Sequence, residues 1–482
     1  MTSNNLSRLS SVGATLALIG GLSMAGSAAH AAATISINNL DGPGVGFNDV
    51  SVVVPLGGNF GTTLGAQRLI AFTYAANIWG ATLTSTQPII INARFSALTC
   101  TATTAVLGSA GATSIFRNFV SAPKLDTWYA YALANKISGS YLGTANSAQI
   151  SANFNVNLGT PGCLQASSWY YGLDNNEPVN GIDFVAVLQH EMAHGLGFQT
   201  FTNGSSGAFN GGFPSIWDHY LFSVAVGKSW ADATAAERVA SAISLNGLVW
   251  TGPVATAAAP AVLLTGAANV AISGLAAGPA AGDYAAGEAS FGPLPTFVPV
   301  SAQVMPVLEQ TTGTGEGCEP FNAINTAAVR NNIALISRGV CGFAIKAKNA
   351  QNAGARGVLI SDNVVAGISG LGGTDPSVTI PTVRITLSTG NAIREQLKRR
   401  SRTSSGVIAG IGRIGSQLAG ADAFGRLLMF APNPFQGGSS VSHYDTSATP
   451  NLLMEPSING NLTQAVGPPK DLTLPLFVDI GW

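Results

Sequence analysis

Two histidines four residues apart in an apolar segment constrain this chain more than any other feature. Residues 181–198 read GIDFVAVLQHEMAHGLGF. The pattern predicts a helix that Asp183 caps and that Gly195 or Gly197 ends. On a helix, residues i and i+4 share one face. His190 and His194 therefore point the same way, and Glu191 sits one residue along. This H-E-x-x-H spacing suits two imidazoles gripping one zinc ion, with the carboxylate beside a water at the metal. A surface helix with two unrelated histidines is the bland alternative. The apolar flanks and the scarcity of histidine, five in the whole chain, argue against it.

A catalytic zinc takes three protein ligands and keeps a fourth position open. The compact metzincin pattern would place the third histidine at position 200. Gly197 fits that pattern, but position 200 is Thr200, and no Glu occurs between Glu191 and Glu237. The remaining candidates are Asp218, His219 and His443. An ordinary reading of Trp217-Asp-His-Tyr220 is a capping Asp beside a partly buried His.

The order of motifs after the helix resembles the leishmanolysin-like metzincins. His190, Glu191 and His194 are followed by Gly195-Leu-Gly-Phe198, then Ser442-His-Tyr444, Leu453-Met-Glu-Pro456 and Asp479-Ile-Gly-Trp482. The resemblance covers about 32–245 and 418–482. It implies that His443 is the third zinc ligand, that Met454 forms an apolar Met-turn floor, and that Glu191 is the general base of a zinc endopeptidase. Tyr444 stands where the family commonly has Trp. The gap between His194 and His443 is also longer than in the basic family. An insert whose ends lie close together accounts for the gap, because loop-closure cost grows only logarithmically with length.

The insert carries its own resemblance. Asn332-Ile-Ala-Leu-Ile-Ser-Arg-Gly-Val-Cys-Gly-Phe343, Lys346, Ala353-Gly-Ala-Arg-Gly-Val358 and Ile380-Pro-Thr-Val383 look like a protease-associated (PA) domain, core about 300–400. The resemblance implies a module that binds or gates substrates rather than catalysing. Arg338 and Arg356 read as solvated surface groups, and so does the basic run from Arg394 to Arg402.

Composition sets the class. Only 9% of residues are charged, against roughly 25% in a typical soluble domain, and Lys+Arg (22) nearly balances Asp+Glu (23). That balance leaves no basic footprint for nucleic acid. Mean hydropathy is +0.31, yet Pro and Gly interrupt every apolar stretch after the N-terminus. No transmembrane segment is expected in the mature chain. Arg8, an apolar Val12–Met24 and Ala29-His-Ala31 predict a removed signal peptide at 1–31 and secretion. Four cysteines in an exported chain favour two disulfides. Neighbourhood in the sequence pairs Cys100 with Cys163 and Cys318 with Cys341.

The expected architecture is α+β. A metzincin-like catalytic domain, a mixed sheet plus the active-site helix, spans 32–250 and 418–482, and a β-rich PA-containing region at 251–417 interrupts it. Helices are expected at Gly65–Leu83, Trp128–Ile137 and Lys346–Ala353. Strands are expected at Val52–Val54, Pro88–Ile91, Gln149–Asn155 and Leu474–Ile480, with Gln149–Asn155 as the edge strand that pairs with substrate. The expected activity is zinc-dependent hydrolysis of protein or peptide substrates. Two rivals stand beside it. One is a non-catalytic exported binding protein on a decayed protease scaffold, and the other is a zinc enzyme acting on a non-peptide amide.

Overall fold

The computed structural model describes residues 32–178, 180–308, 315–365, 368, 370–458 and 462–482, so the predicted leader at 1–31 lies outside the described residues. The first lobe is built on four strands: β1 (Ile35–Asn39), β2 (Ile89–Ser96), β3 (Gly108–Ala112) and β4 (Ile150–Asn155). Helix α1 (Leu64–Thr82) joins β1 to β2, and α2 (Tyr131–Ser138) lies between β3 and β4. The spatial order is β1-β2-β4-β3, with β3 antiparallel and the others parallel. In β2, Ile89, Ile91, Ala93 and Phe95 are buried, the period-two signature of a sheet covered on one face. Thr63 caps α1, its hydroxyl accepting from the Ala66 N–H at 3.2 Å. Phe72, Ala76 and Trp79 bury along one side of that helix, and each large side chain contributes about 1.5–3 kcal/mol. The Trp79 indole donates to the Gln189 carbonyl at 3.1 Å, which ties α1 to α3 (Phe184–Leu196).

The alternation at 149–155 does mark a strand, but not an edge. β4 pairs on both sides, and β1 and β3 are the strands at the rims. Period-two burial reports which faces are covered and not how many neighbours a strand has. Val52–Val54 forms no strand. It makes one isolated bridge, Val52 to Thr63, and Val52 is 88% exposed.

The second lobe begins later than expected. Helix α4 (Pro253–Ala258) and the following Val262 and Leu263 pack in the core of the first lobe, although the sequence placed them in the insert. The insert then forms an eight-stranded sheet. Its strands are β5 (Thr265–Ser273), β6 (Gly282–Ala285), β7 (Gly287–Glu288), β8 (Val300–Pro306), β9 (Ile333–Ser337), β10 (Gly357–Ser361), β11 (Thr382–Ile385) and β12 (Ile408–Leu418). They lie in the order β6-β5-β12-β8-β9-β10-β11-β7. β8 to β11 run parallel. Parallel neighbours need crossover segments, so the insert is mixed α/β rather than simply β-rich. The helix Ala323–Val329, between β8 and β9, and α5 (Phe343–Asn352), between β9 and β10, supply two of those crossovers, and α6 (Leu387–Leu397) leads from β11 to β12. The chain then returns to the first lobe and ends in α7 (Thr473–Ile480).

The α7 segment had been expected as a strand. A short apolar run is ambiguous by periodicity. Burial of Leu472, Leu476, Phe477 and Ile480, with Val478 exposed, shows the helical spacing. Both disulfides are the expected ones, Cys100–Cys163 and Cys318–Cys341. Among the described residues, no helix is long and apolar enough to cross a membrane.

Lys346 of α5 is fully buried. Its ammonium donates to the carbonyls of Glu316 at 2.5 Å and Gly339 at 2.7 Å, and burial pulls its pKa down to about 8. An unfolded lysine titrates near 10.4, so the folded chain gives up this proton first. The cost of burying the charge is present below about pH 8 and fades as pH rises towards the unfolded value. Thermal midpoints should therefore gain more between about pH 8 and 10 in the wild type than in Lys346→Met, since the variant lacks the titrating group. Parallel pH profiles for the two proteins would contradict this.

Candidate metal centre and cleft

Asp183 starts α3 as its sequence position suggests. Its Oδ1 accepts from the N–H groups of Val185 at 2.7 Å and Ala186 at 3.2 Å, a cap worth about 1 kcal/mol. Its Oδ2 accepts from the Gln464 amide at 2.7 Å. Burial pushes the Asp183 carboxyl up to about 6. Gly197 ends the helix with φ of 123°. Gly195 lets α3 lie against β4, since a Cβ there would come within 2.3 Å of the Ile150 side chain.

α3 places His190 and His194 on one face, and the chain that returns after the insert brings His443 to them. The three Nε2 atoms are mutually 3.2 Å apart. Each Nδ1 is committed to a carbonyl at 2.8 Å: His190 to Leu453, His194 to Phe198, and His443 to Ser439. With Nδ1–H donating outward, all three Nε2 lone pairs point inward. Burial holds the pKa of His190 down to about 4 and of His194 to about 3, and keeps His443 well below its ordinary value. The neighbouring imidazoles add to the shift for His194 and His443.

Three imidazole nitrogens facing one point form a group that could hold a metal ion. Tetrahedral zinc at about 2.0–2.1 Å from each nitrogen spaces them by about 3.3–3.4 Å, so the donor set fits that ion. Carbonyl partners on the far nitrogen are the usual orienting contacts of metal-binding imidazoles. Among the described residues, these three form the one cluster of metal-ligating side chains.

The other two candidates lie elsewhere. The Asp218 carboxylate is saturated by the hydroxyls of Thr200 and Thr202, both at 2.6 Å, and by the N–H and hydroxyl of Ser215. His219 shares a 3.1 Å hydrogen bond with Thr127. Thr200 contacts the third-histidine segment by its backbone, its N–H donating to the Ser442 hydroxyl at 3.2 Å.

Glu191 lies against β3. Its carboxylate accepts from the Ala110 N–H, and burial pushes its pKa up to about 8. Gly108 makes room for it, since a Cβ there would stand 2.8 Å from Oε1. Met454 is fully buried, and its carbonyl accepts from the Tyr444 N–H at 2.9 Å. The Met454 segment therefore orients His190 through Leu453 and the residue beside His443 through Met454.

A cleft of about 1100 Å³ opens over His190, Glu191, His194 and His443. One wall is 103–110, running into β3, and others come from 437–443 and 455–458. Gly373 and Thr374 of the insert also line it. Sequence reasoning missed the carbonyl clamps, the part played by β3 and these two insert residues. No side-chain pattern marks a backbone carbonyl or a glycine as part of a site.

Residues 300–393 match the family model described as PA domain, so the insert carries a PA domain over that span. The chain is also similar to vacuolar-sorting receptor 5 of Arabidopsis thaliana, 40% identical over 91 residues, 17% of this chain and 15% of that protein. The chain thus spans a small part of that relative's length. Among solved structures, an aminopeptidase from Aneurinibacillus sp. strain AM-1 is 22% identical with a TM-score of 0.24, over 33% of this chain and 32% of its own. A zinc aminopeptidase from Bacillus subtilis is 23% identical with a TM-score of 0.22, over 33% and 36%. Likenesses this slight carry no argument about the first lobe.

Proposed function

We propose that this chain is an exported zinc endopeptidase of metzincin type, with a signal peptide at 1–31 and an inserted PA domain that meets polypeptide. The observation that carries the reading is the trio of Nε2 atoms 3.2 Å apart whose Nδ1 partners are all backbone carbonyls. His190, His194 and His443 would hold the metal as neutral imidazoles, with Met454 as the apolar floor beneath them. Bound zinc supplies a Lewis acid that polarises a carbonyl and brings the pKa of water to about 7. Glu191 takes the proton of the attacking water and returns it to the leaving amine. The Ala110 N–H holds that carboxylate in place.

The free edge of β3, rather than β4, is the strand on which an extended substrate would add by main-chain hydrogen bonds. Metal removal tests the whole reading. Purified chain should contain stoichiometric zinc, and a chelator should abolish casein cleavage until zinc is restored. A zinc-free preparation that still cleaves casein would sink it.

The resemblance to a sorting receptor favours one second reading, a binding protein without turnover. In that case zinc would be present and casein would remain intact.

A further inference from the structure

The insert is bolted to the loop between the third histidine and Met454. The Glu288 carboxylate of β7 bonds the Arg413 guanidinium of β12 and the Thr449 hydroxyl of the first lobe. The Thr449 carbonyl in turn accepts from the Leu264 N–H at 2.7 Å, where the chain enters the insert. The strip leaving β7 pairs with a glycine-rich segment of the β10–β11 connection, Gly370-Leu-Gly-Gly-Thr374. Ala289 bridges Leu371. The Leu371 N–H donates to the Glu288 carbonyl at 2.8 Å, and the Ser290 N–H donates to the Leu371 carbonyl at 3.0 Å. The Ser290 hydroxyl donates to the Gly373 carbonyl at 2.7 Å. Leu371 is buried, so the segment has an anchor as well as a ladder.

Gly373 and Thr374, at the end of this clamped strip, line the cleft that holds Glu191. The neighbouring Gly370, Leu371 and Gly372 line a second cleft of about 590 Å³ between the lobes. Glu455 to Ile458 line both clefts. The first cleft alone exceeds the roughly 300–1,000 Å³ of a small-molecule site. The two clefts share the wall Glu455–Ile458, and residues of the insert line part of each.

We propose that Gly370–Thr374 is a specificity wall. Thr374 touches the substrate chain, Ser290 positions the wall, and the substrate class is extended or unfolded polypeptide long enough to reach from Glu191 to the insert. Gly373 brings only backbone to the cleft, and Thr374 contributes the side chain there. This rests on the peptidase reading for what happens to the chain once bound.

Two measurements test it. All four cysteines are in disulfides, so Thr374→Cys in a Glu191→Gln background adds a single thiol for a photo-crosslinker. Unfolded casein should cross-link there and not at Leu275→Cys, an exposed control position on the insert. Equal or absent capture at both positions overturns the wall. In the active chain, Thr374→Trp should lower the ratio of kcat/KM on casein to kcat/KM on a short peptide by about tenfold, the size of one lost anchor. Ser290→Ala should shift it in the same direction by less. An unchanged ratio in both variants overturns the proposal. Absence of zinc or of Glu191-dependent cleavage would instead sink the peptidase reading, while cross-linking, which needs no turnover, still decides the wall.

Discussion

His443→Ala is expected to strip the chain of zinc and of proteolysis together. Loss of an outer partner of a metal-bound imidazole already costs about 10–100-fold in affinity, so loss of a ligand should cost more than about a hundredfold. Neither of the other two candidate donors is placed to replace it. Asp218 is saturated by four hydrogen bonds and His219 is engaged by Thr127. The variant should fold, because the segment around it is held by its backbone: Phe430 N–H donates to the His443 carbonyl and Tyr444 N–H to that of Met454, both at 2.9 Å. Zinc content after dialysis against a weak chelator, read beside circular dichroism, checks the result. Full zinc retention in a folded His443→Ala would remove the third ligand from the proposal.

Glu191→Gln separates chemistry from metal binding. The amide keeps the shape of the carboxylate and can still accept from the Ala110 N–H, so zinc should stay at wild-type stoichiometry. Gln cannot take up a proton, and general acid–base catalysis contributes typically about 10²–10⁴-fold. Casein cleavage should therefore fall by at least about a hundredfold at equal zinc content. Activity within a few-fold of wild type would mean that another group carries the proton. Zinc lost along with activity would mean that Glu191 serves the metal site rather than the reaction.

The differences between expectation and structure share a cause. The sequence marks β4 by its alternation and α7 as a short apolar run, but the neighbours of the first and the period of the second are not legible in it. Both depend on what packs against the segment. The sequence puts the start of the insert at 251, yet Ala255, Ala259, Val262 and Leu263 bury in the first lobe. Composition changes with local preference, and a lobe boundary follows which core a side chain joins.

Local chemistry was decided by the sequence. A helix turn suffices to align His190, Glu191 and His194, and an acidic cap and a positive-φ glycine suffice to bound that helix. The pairing of four cysteines followed from their separation into two regions. Tertiary structure decided everything that needed distant backbone. It brought His443 across 249 positions of chain to within 3.2 Å of His194. It aimed each imidazole with a carbonyl, set β3 rather than β4 at the rim, and put Gly373 and Thr374 of the insert into the cleft. A side chain's identity is written in the sequence, whereas the direction of a lone pair and the owner of a cleft wall depend on packing between segments far apart along the chain.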